Sequence, residues 1–284
     1  MSSFFAKAYA KVNLSLDVLG KREDGYHELS GVMQQISLCD DLWACPATDI
    51  SIRCNLPFIP TDERNILWKA AKAFFEYTDI GDKGVHFTLH KRVPSGAGLG
   101  GGSGDGAAAV KLLDQMYHTH LTREQMAELM TSVGADLPFF AYGGTALAEG
   151  IGDKLKPLTP LTQGAMILLK PAFSLPTPGI FAALDQMEDY PHPSSVAMVR
   201  AVESGDLAAV AAAMGNSMQC VVEKMHPVIA TLCAELEDAG AMNAIMSGSG
   251  STVFGLFEDI KIEKKAALSL IRNDRFCYIV TPME

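Results

Sequence analysis

The segment Pro94-Ser-Gly-Ala-Gly-Leu-Gly-Gly-Gly-Ser-Gly-Asp-Gly106 constrains this chain more than any other. It follows a short apolar run, Val85–Leu89, that reads as a strand, and it precedes Ala107–Tyr117, which reads as an amphipathic helix. Glycines let the backbone approach a ligand closely and turn its N–H groups toward it. A helix start adds partial positive charge, so a glycine-rich turn from strand to helix is built to hold phosphate. A flexible surface loop is the plainer alternative, but flexible linkers seldom run directly from a strand into an amphipathic helix.

Three familiar phosphate loops compete for the segment. Gly96, Gly98 and Gly101 satisfy the G-x-G-x-x-G spacing of a dinucleotide fold. Yet Lys91, Arg92, Val93 and Pro94 separate the strand from the first glycine. The region about 20 residues on, where an acidic ribose ligand is expected, reads as helix. No Gly-Lys-[Ser/Thr] follows to make a P-loop, and a protein kinase would need His-Arg-Asp and Asp-Phe-Gly, which the sequence lacks.

The rest of the chain reads as a mixture of strands and helices without strict alternation, an α+β pattern. Ala8, Ala10, Val12, Leu14, Leu16 and Val18 occupy every second position of one strand, placing Lys11 and Asn13 on its polar face. Helices are expected over Asn65–Tyr77, Arg123–Val133, Val196–Glu203, Leu207–Met214, Pro227–Ala239 and Ile262–Ile271, and strands over Ala165–Leu169 and Thr252–Phe257. Pro157 and Pro160 mark the expected domain boundary. The chain of 284 residues carries a net charge of −10, which argues against nucleic acid or an anionic membrane surface as its main partner. Six cysteines without a Cys-x-x-Cys pair read as reduced thiols. With neither a signal-peptide pattern nor an apolar run near the roughly 20 residues that span a bilayer, a cytoplasmic protein is expected.

What remains for the glycine segment is Pro94-x-x-x-Gly98-Leu99-Gly100, and it does not stand alone. Ala10-Lys11-Val12-Asn13 near the start and Met246-Ser-Gly-Ser-Gly-Ser-Thr252 near the end complete a set of three. In this order the set resembles the motifs of the GHMP kinases. The resemblance implies a two-domain α+β fold, with a ribosomal-protein-like, ATP-binding N-terminal domain over 1–157 and a ferredoxin-like C-terminal domain over 158–284. It also implies transfer of a phosphoryl group from ATP, accompanied by Mg²⁺, to an alcohol of a small molecule. Gly20–Leu29 with its Tyr26-His27 pair, Gly134-Ala-Asp-Leu-Pro138, and Leu175-Pro-Thr-Pro-Gly-Ile-Phe181 are similar to the branch acting on a cytidine-diphosphate-linked methylerythritol in non-mevalonate isoprenoid synthesis. A sibling kinase for mevalonate, homoserine or a sugar, and a nucleotide-binding regulator without turnover, are the alternatives. Neither a nucleic-acid nor a membrane partner is expected, and the chain is expected to be a monomer or weak homodimer.

The resemblance also assigns residues. Lys11 and Asp136 are the expected catalytic pair, Asp136 as base; its plainer role would be to cap the turn at Leu137-Pro138. ATP falls to Pro94, Ser95, Gly96, Ala97, Gly98, Leu99, Gly100, Gly101, Gly102, Ser103 and Gly104, with Asn65 and Lys91 near adenosine. Tyr26, His27 and Phe181 match a cytidine site bordered by Thr177 and Pro178, while Asn13, Gly248 and Ser249 face the rest of the acceptor. Gly104 and Gly106 replace a serine and an alanine usual in relatives, and Asp105 is expected to cap the helix or approach the metal. No metal ligand is assigned, and His118 and His120 are poorly spaced to share one. Because both substrates are polyanions, Lys11, Lys91 and Arg92 are expected to make a locally basic site on an acidic protein.

Overall fold

The computed structural model describes residues 3–81, 83–259 and 266–284. In chain order the first elements are β1 (Phe4–Lys21), β2 (His27–Ala47), β3 (Ser51–Cys54), α1 (Ile66–Thr78), β4 (Gly84–His90), α2 (Gly101–Tyr117), α3 (Arg123–Val133) and α4 (Phe139–Tyr142). Next come β5 (Thr145–Gly150), β6 (Lys154–Pro157), β7 (Ala165–Pro171), α5 (Thr177–Leu184), α6 (Ser195–Ser204), α7 (Leu207–Ala213) and β8 (Gly215–Asn216). The chain closes with α8 (Gln219–Met225), α9 (Val228–Asp238), β9 (Asn243–Met246), β10 (Val253–Phe257) and β11 (Arg275–Val280).

These elements form two compact units that interleave along the chain. One takes Met1–Ala10, Leu38–Pro94 and Gly100–Tyr142; the other takes Lys11–Ser37, Ser95–Leu99 and Gly143–Glu284. No single cut near Pro157 produces them, because the long strands β1 and β2 each contribute to both.

In the first unit, β4 pairs antiparallel with β2 from Asp41 opposite His90 to Ala47 opposite Gly84, and parallel with β3 on its other side. Helix α1 buries Leu67, Ala70, Ala71 and Phe74, a 3–4 spacing that puts them on one face. Each large side chain of this kind contributes about 1.5–3 kcal/mol when fully buried. Asn65 starts the helix by accepting the Leu67 N–H at 2.9 Å. Helix α3 opens on a capping box between Thr122 and Gln125.

Helix α2 starts at Gly101, six residues before the expected Ala107. Glycine is a poor helix former, at a cost of about 1 kcal/mol each relative to alanine, and propensity alone delays the reading. Close packing explains the glycine at 104: a Cβ there would run into the backbone oxygen of Tyr9 in β1. At Gly106 a Cβ would meet Leu137 at 2.9 Å and Ile66 at 3.1 Å.

In the second unit, β7 is central in an antiparallel sheet ordered β11-β7-β10-β9. Its apolar run Ala165-Met-Ile-Leu-Leu169 is buried throughout, as expected of a strand covered on both faces. Ile167 and Leu169 join Ile180, Leu184, Leu232 and Leu236 from helices α5 and α9 in one core, with Leu16 and Val18 of β1. The first half of β2 pairs with β5, from Leu29 opposite Gly150 to Gln34 opposite Thr145. Residues 266–270 are helical; the rest of the helix expected over Ile262–Ile271 lies partly outside the described residues.

Candidate active site

The three sequence motifs converge on backbone hydrogen bonds of the second unit. Lys11 N–H donates to the Leu99 carbonyl at 2.9 Å, and Thr252 N–H to that of Ala97 at 3.2 Å. Ser247 Oγ donates to the Gly98 carbonyl at 2.9 Å and accepts the Asn13 N–H at 3.3 Å. The first and third motifs thus fix the entry half of the glycine segment. Gly98 has φ +75°, and a Cβ there would overlap the carbonyl oxygen of Ser247, so glycine is required twice over.

On this scaffold Lys11 is only 4% exposed, and its Nζ donates to Asn13 Oδ1 at 2.6 Å. Strand alternation puts both side chains on one face, about two residue rises apart. A Cβ on Gly248 would lie 3.5 Å from the same Asn13 oxygen. Ser249 Oγ is 2.7 Å from Thr177 Oγ1 at the start of α5, next to Pro178. Asn216, which the sequence reading passed over, holds this turn from behind: its Nδ2 donates to the carbonyls of Met246 and Gly248, each at 2.8 Å.

A second cluster of the same unit surrounds His27. The ring is buried and stacks on Phe181 with centroids 4.4 Å apart and 15° between planes. Its Nε2 lies 2.7 Å from Asp185 Oδ1, while Lys21 Nζ meets the other carboxylate oxygen at 3.0 Å. The His27 hydrogen bond, reinforced by Lys21, holds the Asp185 carboxyl below its usual range against a smaller effect of burial. Asp185 accepts only, so Nε2 carries the hydrogen, and a neutral His27 presents Nδ1 as an acceptor. Asp185 was not singled out by the sequence, although it stands four residues after Phe181 and therefore on the same side of α5. Tyr26, beside His27, is 61% exposed.

The exit half of the glycine segment belongs to the first unit. Gly100 is the N-cap of α2, in a left-handed conformation at φ 62°, and no side chain caps this end. The N–H groups of the first turn, at Gly101, Gly102 and Ser103, lack intrahelical acceptors by geometry. Such an end suits an anion. Pro94 and Ser95 enter the segment, and the carbonyl of Ser95 accepts from Ser174 Oγ at 3.0 Å within the second unit. Asp136 stands half-buried in the turn between α3 and α4, where Leu137 N–H donates to the Gly134 carbonyl at 3.2 Å.

Three expectations change in this unit. Lys91 presents no free charge to a ligand: its buried Nζ is paired with Asp40 and, at 2.8 Å, with Asp105. Arg92 is paired with Asp41, so neither cation adds net positive charge as a basic site would require. Asp105 is neither a cap nor exposed, but an interior residue of α2 held by Lys91. The Asn65 amide accepts the Leu67 N–H through Oδ1 and donates to the Pro60 carbonyl through Nδ2. Among the described residues no group of three or more His, Cys, Asp or Glu side chains is placed to hold a metal. His118 and His120 have ring centroids 6.2 Å apart at the end of α2.

Comparison with known proteins agrees with this construction. The model of the GHMP kinases N terminal domain matches residues 65–144, and that of the GHMP kinases C terminal matches residues 198–273. The chain belongs to the GHMP kinases. It is 41% identical over 255 residues to the 4-diphosphocytidyl-2-C-methyl-D-erythritol kinase of Clostridium botulinum, covering 89% of this chain and 91% of that one. It is similar in structure to a crystal structure of 4-(cytidine 5'-diphospho)-2C-methyl-D-erythritol kinase, with a TM-score of 0.83, 32% identity and coverage of 99% and 100%. Within the superfamily it is thus a member of the 4-diphosphocytidyl-2-C-methyl-D-erythritol kinase family. Homoserine kinase from Cytophaga hutchinsonii shares the fold at a TM-score of 0.80 and 18% identity, covering 99% of this chain and 95% of that one.

Proposed function

We propose that this chain transfers the γ-phosphoryl group of ATP to the 2-hydroxyl of 4-diphosphocytidyl-2-C-methyl-D-erythritol, a step of the non-mevalonate route to isoprenoid precursors. The observation that carries this reading is the 41% identity to a kinase of that name over nearly the whole of both chains. The His27, Phe181 and Asp185 cluster supports it independently, since a flat aromatic ring beside a fixed acceptor suits a base with an exocyclic amine. Stacking of a base on such a ring contributes roughly 1–3 kcal/mol in nucleic-acid systems.

Phosphoryl transfer depends on alignment and charge stabilisation more than on covalent help from the protein. The first-turn N–H groups of α2 hold ATP phosphate. Asp136 accepts the proton of the acceptor hydroxyl as its oxygen forms the new P–O bond. The bond from the γ-phosphorus to the β–γ bridging oxygen breaks, and ADP leaves with that electron pair. Lys11, fixed by Asn13, places a positive charge where the hydroxyl becomes an alkoxide. Asp136 would offer Mg²⁺ brought in with ATP a hard oxygen donor of the kind that ion takes. When bound it neutralises charge on the transferring phosphoryl group.

We place the protein in the cytoplasm as a monomer or weak homodimer; among the described residues no helix is long and apolar enough to cross a membrane. ADP release measured with 4-diphosphocytidyl-methylerythritol, mevalonate and homoserine as separate acceptors tests the reading. Turnover with the first alone is expected, and turnover with mevalonate or homoserine instead would overturn it.

A further inference from the structure

The two stems of the glycine segment, Lys91–Pro94 on entry and Gly100–Asp105 on exit, are joined within the first unit by three buried side chains. Lys91, directly after β4, sends its ammonium to Asp40 of β2 and to Asp105 Oδ2 of α2, the latter at 2.8 Å. Asp40 uses its other oxygen to accept the backbone N–H groups of Arg92 and of Val93, the second at 2.7 Å. Side-chain exposure is 4% for Lys91, 0% for Asp40 and 4% for Asp105, so solvent does not screen the cluster. The mechanism above uses none of the three.

Two carboxylates on one buried ammonium leave an excess negative charge. Its position is specific: Lys91 Nζ lies 3.5 Å from where a Cβ on Gly101 would stand, beneath the first residue of α2. A net negative charge there opposes the partial positive charge of the helix end and repels a phosphate above it. Asp105 Oδ1 is buried and has no hydrogen-bond partner, so it is an oxygen with room to hold a proton. The charged groups facing Asp105 are Lys91 from the end of β4 and Asp40 from β2. Burial pushes the Asp105 carboxyl up to about 8; Lys91 pulls against this, and Asp40 adds to it. Burial works against the Lys91 ammonium as well, but Asp105 and Asp40 outweigh it and raise its affinity for the proton. At neutral pH the three groups then sum to no net charge, and the field of the helix end is left to the ligand.

We propose that Asp40 and Asp105 are positioning residues for ATP, clamping both stems of the phosphate loop through Lys91, and that the clamp favours bound nucleotide only while Asp105 is protonated. This rests on the reading that the glycine loop holds ATP phosphates.

Binding of a non-hydrolysable ATP analogue to the full chain, titrated between pH 7 and 9.5, tests the proposal without needing an acceptor. Wild-type affinity is expected to fall as Asp105 loses its proton above about pH 8, by roughly tenfold across the range if the protonated form binds preferentially. The Asp105→Asn variant, neutral at every pH, should vary less than about twofold. Asp40→Asn should weaken binding at pH 7 and flatten the fall, because Asp105 then lacks the neighbour that helps raise it and its ionised form is balanced by Lys91. A merely structural role for Asp105 would alter the melting temperature of Asp105→Asn and leave the pH profile of affinity in place. Binding at pH 7 with an affinity that does not change with pH, or a fall that survives in Asp105→Asn, would overturn the clamp and leave the kinase reading intact. No analogue binding by wild type at pH 7 would overturn both.

Discussion

Replacing Gly98 by alanine should damage the nucleotide site more than any other single methyl group added to the loop. The backbone there has φ +75°, and an added Cβ would coincide with the carbonyl oxygen of Ser247. Holding a non-glycine residue in that region costs about 1–3 kcal/mol. The overlap adds to this, because the atom in the way is backbone and cannot rotate aside. Relief requires Gly98 and Ser247 to separate, which breaks the 2.9 Å bond from Ser247 Oγ to the Gly98 carbonyl and disturbs the 3.3 Å bond to Asn13 N–H. A lost hydrogen bond of this kind contributes about 0.5–1.5 kcal/mol. The sum, on the order of 2–4 kcal/mol, lowers the melting temperature by roughly 4–16 °C at about 2–4 °C per kcal/mol. Since a loop misplaced by about 1 Å can lower rate about 10²-fold, kcat/KM for ATP should fall by that order. Gly102→Ala is the matched control for stability: its Cβ would meet nothing within 4 Å, and the position is helical. It should melt at or slightly above wild type, as helix propensity favours alanine by about 1 kcal/mol. Thermal melts and ATP saturation curves read both effects. A Gly98→Ala protein that melts with wild type and keeps its KM for ATP would refute the reasoning.

Two other outcomes follow from side chains the structure places. Asp185→Ala removes the acceptor that fixes the His27 tautomer, so KM for the cytidine-bearing acceptor should rise about tenfold, the loss expected from a hydrogen bond to a charged group, while KM for ATP stays within twofold, roughly the scatter of such assays; equal changes in both would contradict the assignment. Burial pushes the Cys233 thiol up to about 12, so it should resist iodoacetamide at pH 8 in the folded protein and react only after unfolding, as peptide mapping by mass spectrometry would show.

The parts of the fold that sequence reading captured are those whose signal is local. Strand β1 announces itself by alternation from Ala8 to Val18, and α3 by its run from Arg123 to Val133. Strand β2 was missed, although it is the longest element among the described residues, because Gln34, Gln35, Asp40 and Asp41 interrupt its apolar pattern. Their partners are remote: Thr145 Oγ1 donates to Gln34, Gly144 N–H to Gln35, and Lys91 and Arg92 pair with the two aspartates. Polar residues satisfied across the fold look, in sequence, like a loop. The same blindness affected Lys91, which reads as a free cation until its two buried carboxylates are seen. The interleaving of the units was not legible either, since it depends on which half of β1 and β2 each later segment joins. Motif residues such as Lys11, Asn13, Gly98 and Ser247 were legible because their order along the chain is itself the signal. How they lock together through Ser247 Oγ and Asn216 was not.

Phosphoryl transfer to a cytidine-bearing alcohol needs a base for the alcohol proton, and Asp136 is proposed as that base. ADP release with 4-diphosphocytidyl-methylerythritol, compared between wild type and Asp136→Ala, tests it most directly. Wild-type turnover should fall on the order of 10²-fold or more in kcat in the variant, within the usual range for a general base, with ATP still bound. Unchanged turnover in Asp136→Ala would remove Asp136 from the chemistry, and absence of wild-type turnover with this acceptor would contradict the account.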